Sequence, residues 1–239
     1  DTGFPDAFWK GLRLAKGEYI LACNISDGYA TADWIKKCVE VLDNNHDISL
    51  VWGHTCGLNE NSQIVECGQS QFYYSEAPQR EHMFYYWIKT GDSQPETNLC
   101  VKKSVILKCY PSVEDCKKNI LDWQEFSFRF NSYGYLSLHL PIIANFSHVN
   151  HANKLGIKLH KSGEYKKDTN NYRKKINRYT WKLMLGLAKH SFIDSDGKIL
   201  NIKFNRKKLI IDHLKYAICK NKKYLQPKKY LNFIKKSIR

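Results

Sequence analysis

Long apolar runs are missing from this 239-residue sequence: no stretch approaches the roughly 18–20 uninterrupted apolar residues that a membrane-spanning helix needs. The chain also opens without the charged and then apolar pattern of a secretory signal. We therefore expect a cytoplasmic protein. Hydrophobic residues still make up 43% of the chain, which is enough for a sizeable core and argues against a wholly disordered protein.

The eight cysteines lack the spacing of a metal site or a disulfide scaffold. No Cys-x-x-Cys pair occurs, whereas a zinc site needs closely spaced thiolates. A small secreted scaffold would be shorter and richer in cysteine. We therefore expect free, buried thiols in a reducing cytoplasm.

The positive charge is confined to the last third of the chain. The formal net charge is +15, yet residues 1–154 hold 14 Lys and Arg against 18 Asp and Glu. Residues 155–239 hold 24 basic and five acidic residues, so the excess lies entirely there. A change of this size marks a boundary in the chain. It also weakens the nucleic-acid-binding interpretation that +15 first suggests, since no helix-turn-helix, zinc or RNA-recognition signature accompanies the charge.

The first fifty residues alternate between helix and strand patterns. Apolar positions recur at helical spacing over 6–15 and 32–42, and a short apolar run with the character of a buried strand follows each. This alternation predicts an α/β fold. The first apolar run is followed by Asn24, Ser26 and Asp27, and polar residues at the end of a buried strand are where open α/β sheets bind ligands.

Three ordered segments near the start of the chain carry a second pattern. They read D-A-F-W-K-G from Asp6, A-K-G-E-Y-I from Ala15 and N-I-S-D from Asn24, in one register without a gap over residues 6–29. Together they resemble a family 2 glycosyltransferase of the GT-A fold, which typically reads D-A-x-N-K-G-I, then A-x-G-E-Y-I, then N-S-D-D or D-x-D-D. The resemblance implies a mixed, mostly parallel sheet with flanking helices, as in nucleotide-diphospho-sugar transferases.

The resemblance covers residues 1–156 and divides the chain in two. It implies that 1–156 is a partial GT-A catalytic domain, because the family's first strands, which hold the nucleotide base, have no counterpart before Asp6. Residues 157–239 then form a basic helical C-terminal region. A transferase domain without those strands leaves a parallel sheet unfinished, so we expect these 239 residues alone to be inactive.

The resemblance implies chemistry at a nucleotide-sugar diphosphate. Its negative charge must be neutralised as the sugar–phosphate bond breaks, and Mg²⁺ or Mn²⁺ held by a carboxylate at a strand end does this. Asp27 falls on the family's metal-ligating position, and His151 matches a histidine that the family sometimes uses there, with His148 as the alternative. Ser26 replaces the family's preceding Asp, so Ser26 or Asn24 would contact the sugar.

A further set of donor contacts follows from the same resemblance. A polar turn precedes a strand-like segment near residue 100, and in the family this turn lies close to the donor sugar. The donor-binding residues that the resemblance implies are Asp6, Lys10, Asn24, Ser26, Thr97 and Asn98.

Two acids are candidates for the catalytic base. Inverting transfer needs a carboxylate that takes the proton of the acceptor hydroxyl as it attacks the anomeric carbon. Asp122 and Glu125 are three residues apart, so a helix places them on one side. Aligning the family's helix on Arg129 selects Asp122, whereas aligning it on the Gln124-Glu125 pair selects Glu125. We prefer Asp122 slightly and keep both.

The chain beyond residue 156 is rich in lysine and has helical patterns. Apolar positions recur over 172–192 and 206–225 with basic residues on the other faces, and a last short helix is predicted over 228–239. Basic amphipathic helices bind anionic lipid surfaces, so residues 172–239 predict a peripheral contact with the inner face of a membrane.

These patterns together predict a metal-dependent, inverting glycosyltransferase that moves a sugar from a nucleotide-diphosphate donor to a glycan or lipid-linked acceptor. A non-catalytic sugar-binding protein or degenerate transferase is one alternative, and Ser26 in place of an acid favours it. A basic nucleic-acid-binding protein is the other, and it leaves the ordered acidic motifs unexplained.

Overall fold

Helices and strands alternate along most of the chain. The structure, a computed structural model, describes residues 4–23, 27–68, 80–118, 122–148 and 161–220. The helices in these residues are α1 (Phe4–Leu14), α2 (Asp33–Asn44), α3 (Arg80–Thr90), α4 (Lys103–Cys109), α5 (Val113–Lys118), α6 (Asp122–Tyr133), α7 (Glu164–Leu185) and α8 (Arg206–Lys220). The strands are β1 (Tyr19–Leu21), β2 (Asp27–Tyr29), β3 (Ile48–Leu58), β4 (Ile64–Gly68), β5 (Leu99–Lys102) and β6 (Leu136–His148).

The strands form one mixed sheet in the order β1-β5-β3-β6-β2, with β4 paired to the outer part of β3. Only β3 and β6 are parallel among the described strands, and the other pairs are antiparallel. The predicted α/β class is therefore confirmed, but the expected mostly parallel sheet is not found in the described residues. The physical reason lies in the connections, since short loops such as 59–63 join antiparallel neighbours and a parallel pair needs a helical crossover.

The central strand β3 is buried on both faces. Residues 48–53 are all buried. Val51 belongs to one hydrophobic cluster with Trp34 of α2, while Trp52 belongs to a second cluster with Phe126 of α6. Helices covering both faces of a strand explain why its sequence is a continuous apolar run.

The basic C-terminal helices pack against α3 and against each other, and α7 also contacts α6. Tyr172 and Ile176 of α7 share a hydrophobic cluster with Trp34 and Trp87, and the indole N–H of Trp87 donates to the Tyr172 hydroxyl at 2.9 Å. The predicted division at residue 156 lies outside the described residues and stays a prediction.

Helix α7 is displaced toward the N-terminus from the predicted helix over 172–192. It begins at Glu164 and ends at Leu185, where Gly186 adopts a φ of 74° and donates its N–H to the carbonyl groups of Leu183 and Lys182. A glycine in this left-handed conformation is a common helix C-cap, and it stops the helix before the predicted end.

Cys56 is not one of the free thiols that the sequence predicts. Cys56 of β3 is disulfide-bonded, and Cys67 of β4 lies directly opposite it in the antiparallel pair. The expectation of free thiols is therefore wrong for Cys56, because strand pairing brings together residues whose spacing along the chain gives no such signal. Cys23, Cys38, Cys100 and Cys109 form no disulfide; Cys23 is exposed and the other three are buried.

No helix in the described residues is both long enough and apolar enough to cross a membrane.

Candidate functional site

Strand β6 brings three separate segments of the chain together. Its C-terminal half pairs with β2, where Ser147 lies opposite Asp27 and Asn145 lies opposite Tyr29. On its other side the same half pairs with β3, where Asn145 lies beside Thr55. Asp27 therefore begins a strand at the end of the sheet toward which β3 and β6 both run.

The buried side chain of Asn145 holds the loop before β5 against this end of the sheet. Its carbonyl oxygen accepts a hydrogen bond from the Thr55 hydroxyl at 2.7 Å, and its amide donates to the Thr97 hydroxyl at 3.2 Å. The Asn98 amide donates to the carbonyl group of Gly53, whose N–H donates back to the Asn98 carbonyl at 3.0 Å. Thr97 and Asn98, predicted as donor contacts, thus fix the position of the loop that carries Glu96.

Asp122, the first residue of α6, is buried and hydrogen-bonded. One of its carboxylate oxygens accepts a hydrogen bond from the Tyr110 hydroxyl. Burial raises the pKa of Asp122, while the Tyr110 hydroxyl and the backbone N–H of Trp123 oppose that rise. The Tyr110 ring is fixed in turn by Phe8 of α1 and by Trp123, with ring centroids 4.6 and 5.7 Å away. The result is a carboxyl group held in a single position with a proton affinity above its usual range.

Glu96 joins the two acids that the sequence singled out. Its side chain reaches solvent, yet protein atoms crowd its carboxyl group. Desolvation, followed by the negative charges of Asp122 and then Asp27, raises the pKa of Glu96 to about 7. Asp27 and Asp122 thus both act electrostatically on the Glu96 carboxyl group. Sequence reasoning missed Glu96, although an acid in a polar turn before a buried strand was a signal that could have found it.

Glu125 lies in a different electrostatic environment from Asp122. Its carboxylate binds Arg129 at 3.0 Å and Lys175 of α7 at 2.8 Å. Arg129 also binds Asp115 at 2.9 Å, which makes a cluster of two acids and two bases. The two cations neutralise Glu125, whereas Asp122 is hydrogen-bonded to a neutral tyrosine.

Of the remaining predicted residues, the structure describes Asp6, Lys10 and His148. Lys10 and Asp6 form an ion pair at 3.0 Å, one turn apart on α1. His148 is the last residue of β6 and lies beside Leu58 of β3. The predicted residues Asn24, Ser26 and His151 lie outside the described residues.

A divalent metal ion needs several oxygen or nitrogen ligands in one place. No group of three His, Cys, Asp or Glu side chains is placed to share one ion in the described parts of the chain. The Asp27 Oδ1 atom is buried and accepts no hydrogen bond from a described residue. A free carboxylate oxygen suits Mg²⁺ or Mn²⁺, which need only one or two protein carboxylates when phosphate oxygens complete the shell. Asp27 therefore fits a site with a single protein carboxylate.

Comparisons with known proteins give a distant structural likeness. No protein-family profile and no curated protein matches the chain. Among solved structures, the crystal structure of S. aureus TarS aligns with a TM-score of 0.46 and 11% sequence identity. The alignment covers 92% of this chain and 33% of TarS, so the chain spans about a third of the length of that protein. A likeness at this level assigns no function to the chain.

We predict that Tyr110→Phe raises the pKa of Asp122 further. The substitution keeps the ring in place but removes the hydroxyl that stabilises the charged carboxylate. Titration of the Asp122 carboxyl carbon by NMR measures the change directly. Tyr133→Phe, at an exposed position on the same helix as Asp122, is the matched control and should leave the titration unchanged. An unchanged or lower pKa in Tyr110→Phe would contradict the role given to this hydrogen bond.

We also predict that Glu96→Gln stabilises the protein at high pH. The folded-state pKa of about 7 exceeds the ordinary value of 4.5, so ionising Glu96 costs folding free energy as the pH rises between these values. Removing the charge should raise Tm at pH 8 and leave it unchanged at pH 4, as followed by circular dichroism. Glu40→Gln, at an exposed position on α2, should show no such pH dependence. A Tm below that of wild type at pH 8 would contradict this prediction.

Proposed function

We propose that this chain belongs to a glycosyltransferase that moves a sugar from a nucleotide-diphosphate donor to a glycan or lipid-linked acceptor. The observation that carries the proposal is the convergence of Asp27 and Asp122 on Glu96. Asp27 and Asp122 come from two distant segments, each of which resembles a part of family 2 glycosyltransferases where an acid has a chemical role. A resemblance of isolated motifs does not require the two acids to act on one carboxyl group, so their shared effect on Glu96 supports the proposal independently.

Asp122 is the proposed general base. In inverting transfer the acceptor oxygen forms a bond to the anomeric carbon while the bond from that carbon to the diphosphate oxygen breaks. The nucleotide diphosphate leaves with the bonding electrons, and Asp122 takes the proton of the acceptor hydroxyl. A base is most effective when its pKa lies near the working pH, and burial moves Asp122 in that direction.

The alternative base, Glu125, is less suited to this role. Its two ion pairs, with Arg129 and Lys175, occupy the oxygens that would accept a proton. We therefore assign Glu125 to the contact between α6 and α7.

Asp27 is the proposed ligand of Mg²⁺ or Mn²⁺, together with oxygens of the donor diphosphate. When bound, the metal ion would neutralise the charge that develops on the leaving diphosphate. Desolvation, and then the negative charges of Asp122 and Asp27, raise the pKa of Glu96, and a divalent cation bound at Asp27 would offset that negative charge. Asn24, Ser26 and His151 remain candidates from the family resemblance for the sugar and for the metal shell, and Asp6 and Lys10 for the donor.

We predict that Asp122→Asn lowers turnover far more than Glu125→Gln does. Because residues 1–239 alone are expected to be inactive, release of nucleotide diphosphate from a panel of UDP-, GDP-, CDP- and dTDP-sugars is measured on the full-length enzyme with Mn²⁺ present. Asp122→Asn should lower turnover by about 100-fold or more, because general base catalysis contributes on that scale. Glu125→Gln should stay within a few-fold of wild type.

Other results would change either the assignment of the base or the proposed function. Loss of turnover in Glu125→Gln alone would overturn the assignment of Asp122. Donor binding in equilibrium dialysis without any turnover would favour a non-catalytic sugar-binding protein. A salt-sensitive gel shift with DNA or RNA, and no donor binding, would favour the nucleic-acid-binding alternative.

We predict that Mn²⁺ alone raises the Tm of the wild-type chain and that Asp27→Asn abolishes the rise. An ion that binds only the folded state stabilises it in proportion to the logarithm of its concentration above Kd. Differential scanning fluorimetry over a series of MnCl₂ concentrations measures this, and MgCl₂ is tested in parallel. Glu125→Gln is the matched acid-to-amide control and should keep the rise. An equal rise in Asp27→Asn would remove Asp27 from the metal site.

A further inference from the structure

The described C-terminal part of the chain carries a strong excess of positive charge. Residues 161–220 hold 16 Lys and Arg against five Asp and Glu. The inner faces of α7 and α8 are packed against α3 and against each other, so the basic side chains are concentrated on the outer faces. Lys175 is engaged with Glu125, but several others have no such role in the fold.

The end of α7 and the start of α8 meet at one surface. The Arg206 side chain donates to the carbonyl group of Met184 at 2.8 Å, and its guanidinium group lies beside Gly186. Leu185 and Leu187 flank this contact and are 48% and 72% exposed. The exposed basic residues around them are Lys182, Lys189, Arg206 and Lys207.

The outer face of α8 continues the same combination of side chains. Lys207, Ile211 and Leu214 recur at the spacing of one helix face, and the two aliphatic side chains are 50% and 43% exposed. The opposite face of α8 carries Leu209, which is buried, and His213, whose ring lies 5.6 Å from that of Trp181 on α7. The outward orientation of the aliphatic residues is therefore set by the packing of the helix.

We propose that this basic aliphatic surface, formed by Lys182, Leu185, Leu187, Lys189, Arg206, Lys207, Ile211, Leu214 and Lys215, binds an anionic lipid bilayer. Single exposed leucines need no explanation, but a group of them ringed by lysine and arginine does. A lipid interface accommodates both, since aliphatic side chains enter the acyl boundary while cations contact phosphate headgroups.

Charge and side-chain type favour a lipid surface over a nucleic acid. Proteins that bind single-stranded nucleic acids place aromatic side chains among the basic ones so that bases can stack on them. The solvent-facing apolar residues here are aliphatic, and they gain nothing from a phosphodiester backbone. The proposal does not depend on the proposed transferase activity, although membrane binding would bring an enzyme close to a lipid-linked acceptor.

Sedimentation with vesicles tests the proposal. Vesicles of phosphatidylcholine and phosphatidylglycerol in equal parts are compared with vesicles of phosphatidylcholine alone, and wild type should bind only the anionic ones at moderate salt. The double variant Lys182→Gln/Lys207→Gln should bind roughly 25-fold more weakly, about fivefold for each lost charge. Lys36→Gln/Lys37→Gln, at exposed positions on α2, is the matched control and should bind like wild type.

A second double variant separates lipid insertion from simple charge attraction. Leu185→Ser/Leu187→Ser keeps every charge but should lose about tenfold in affinity, and this loss should persist at high salt because burial of apolar area is not screened. Circular dichroism confirms that each variant is folded. Equal binding to neutral vesicles, equal loss in the Lys36/Lys37 control, or leucine variants that bind as tightly as wild type would overturn the proposal. Competition of vesicle binding by RNA with retention of RNA binding in the leucine variants would replace it with the nucleic-acid interpretation.

Discussion

The position of β6 between β3 and β2 is the constraint on which the candidate site depends. Asn145 on this strand lies between neighbouring strands on both sides, and its side chain also holds the loop that precedes β5. The backbone of Asn145 pairs with the strand that begins at Asp27, and its side-chain amide holds the loop that carries Glu96. Because a buried amide without partners is costly, each of its hydrogen bonds restricts where the attached segments can lie.

The negative charges of Asp122 and Glu96 cost folding free energy. Burial of Asp122 and crowding of Glu96 both penalise negative charge. A chain selected only for stability would replace such groups, whereas a site that handles protons or cations gains from them. Glu125, only one turn from Asp122, shows the other solution, in which cations compensate the charge and the group serves the packing of two helices.

Local patterns in the sequence predicted α1, β1 and α2 well, because the spacing of apolar residues and glycine punctuation act within a few positions. Features that depend on contacts between residues far apart in the sequence could not be predicted from those patterns. The mixed rather than mostly parallel sheet and the disulfide at Cys56 follow from which strands become neighbours. Glu96 gains its significance from Asp27 and Asp122, and the ion pair of Glu125 comes from Lys175 fifty residues later. None of these partners can be recognised from the residues that surround each acid.

The basic region is also part of the hydrophobic core. Tyr172 on the inner face of α7 contacts Trp87 of α3, while lysines and arginines occupy the outer face of the same helix. Deleting the helix to remove its charge would therefore expose a large buried indole ring to water and invite aggregation. The electrostatic and the architectural contributions of this segment can be separated only by surface point substitutions, and any shortened version of the protein would have to retain α7.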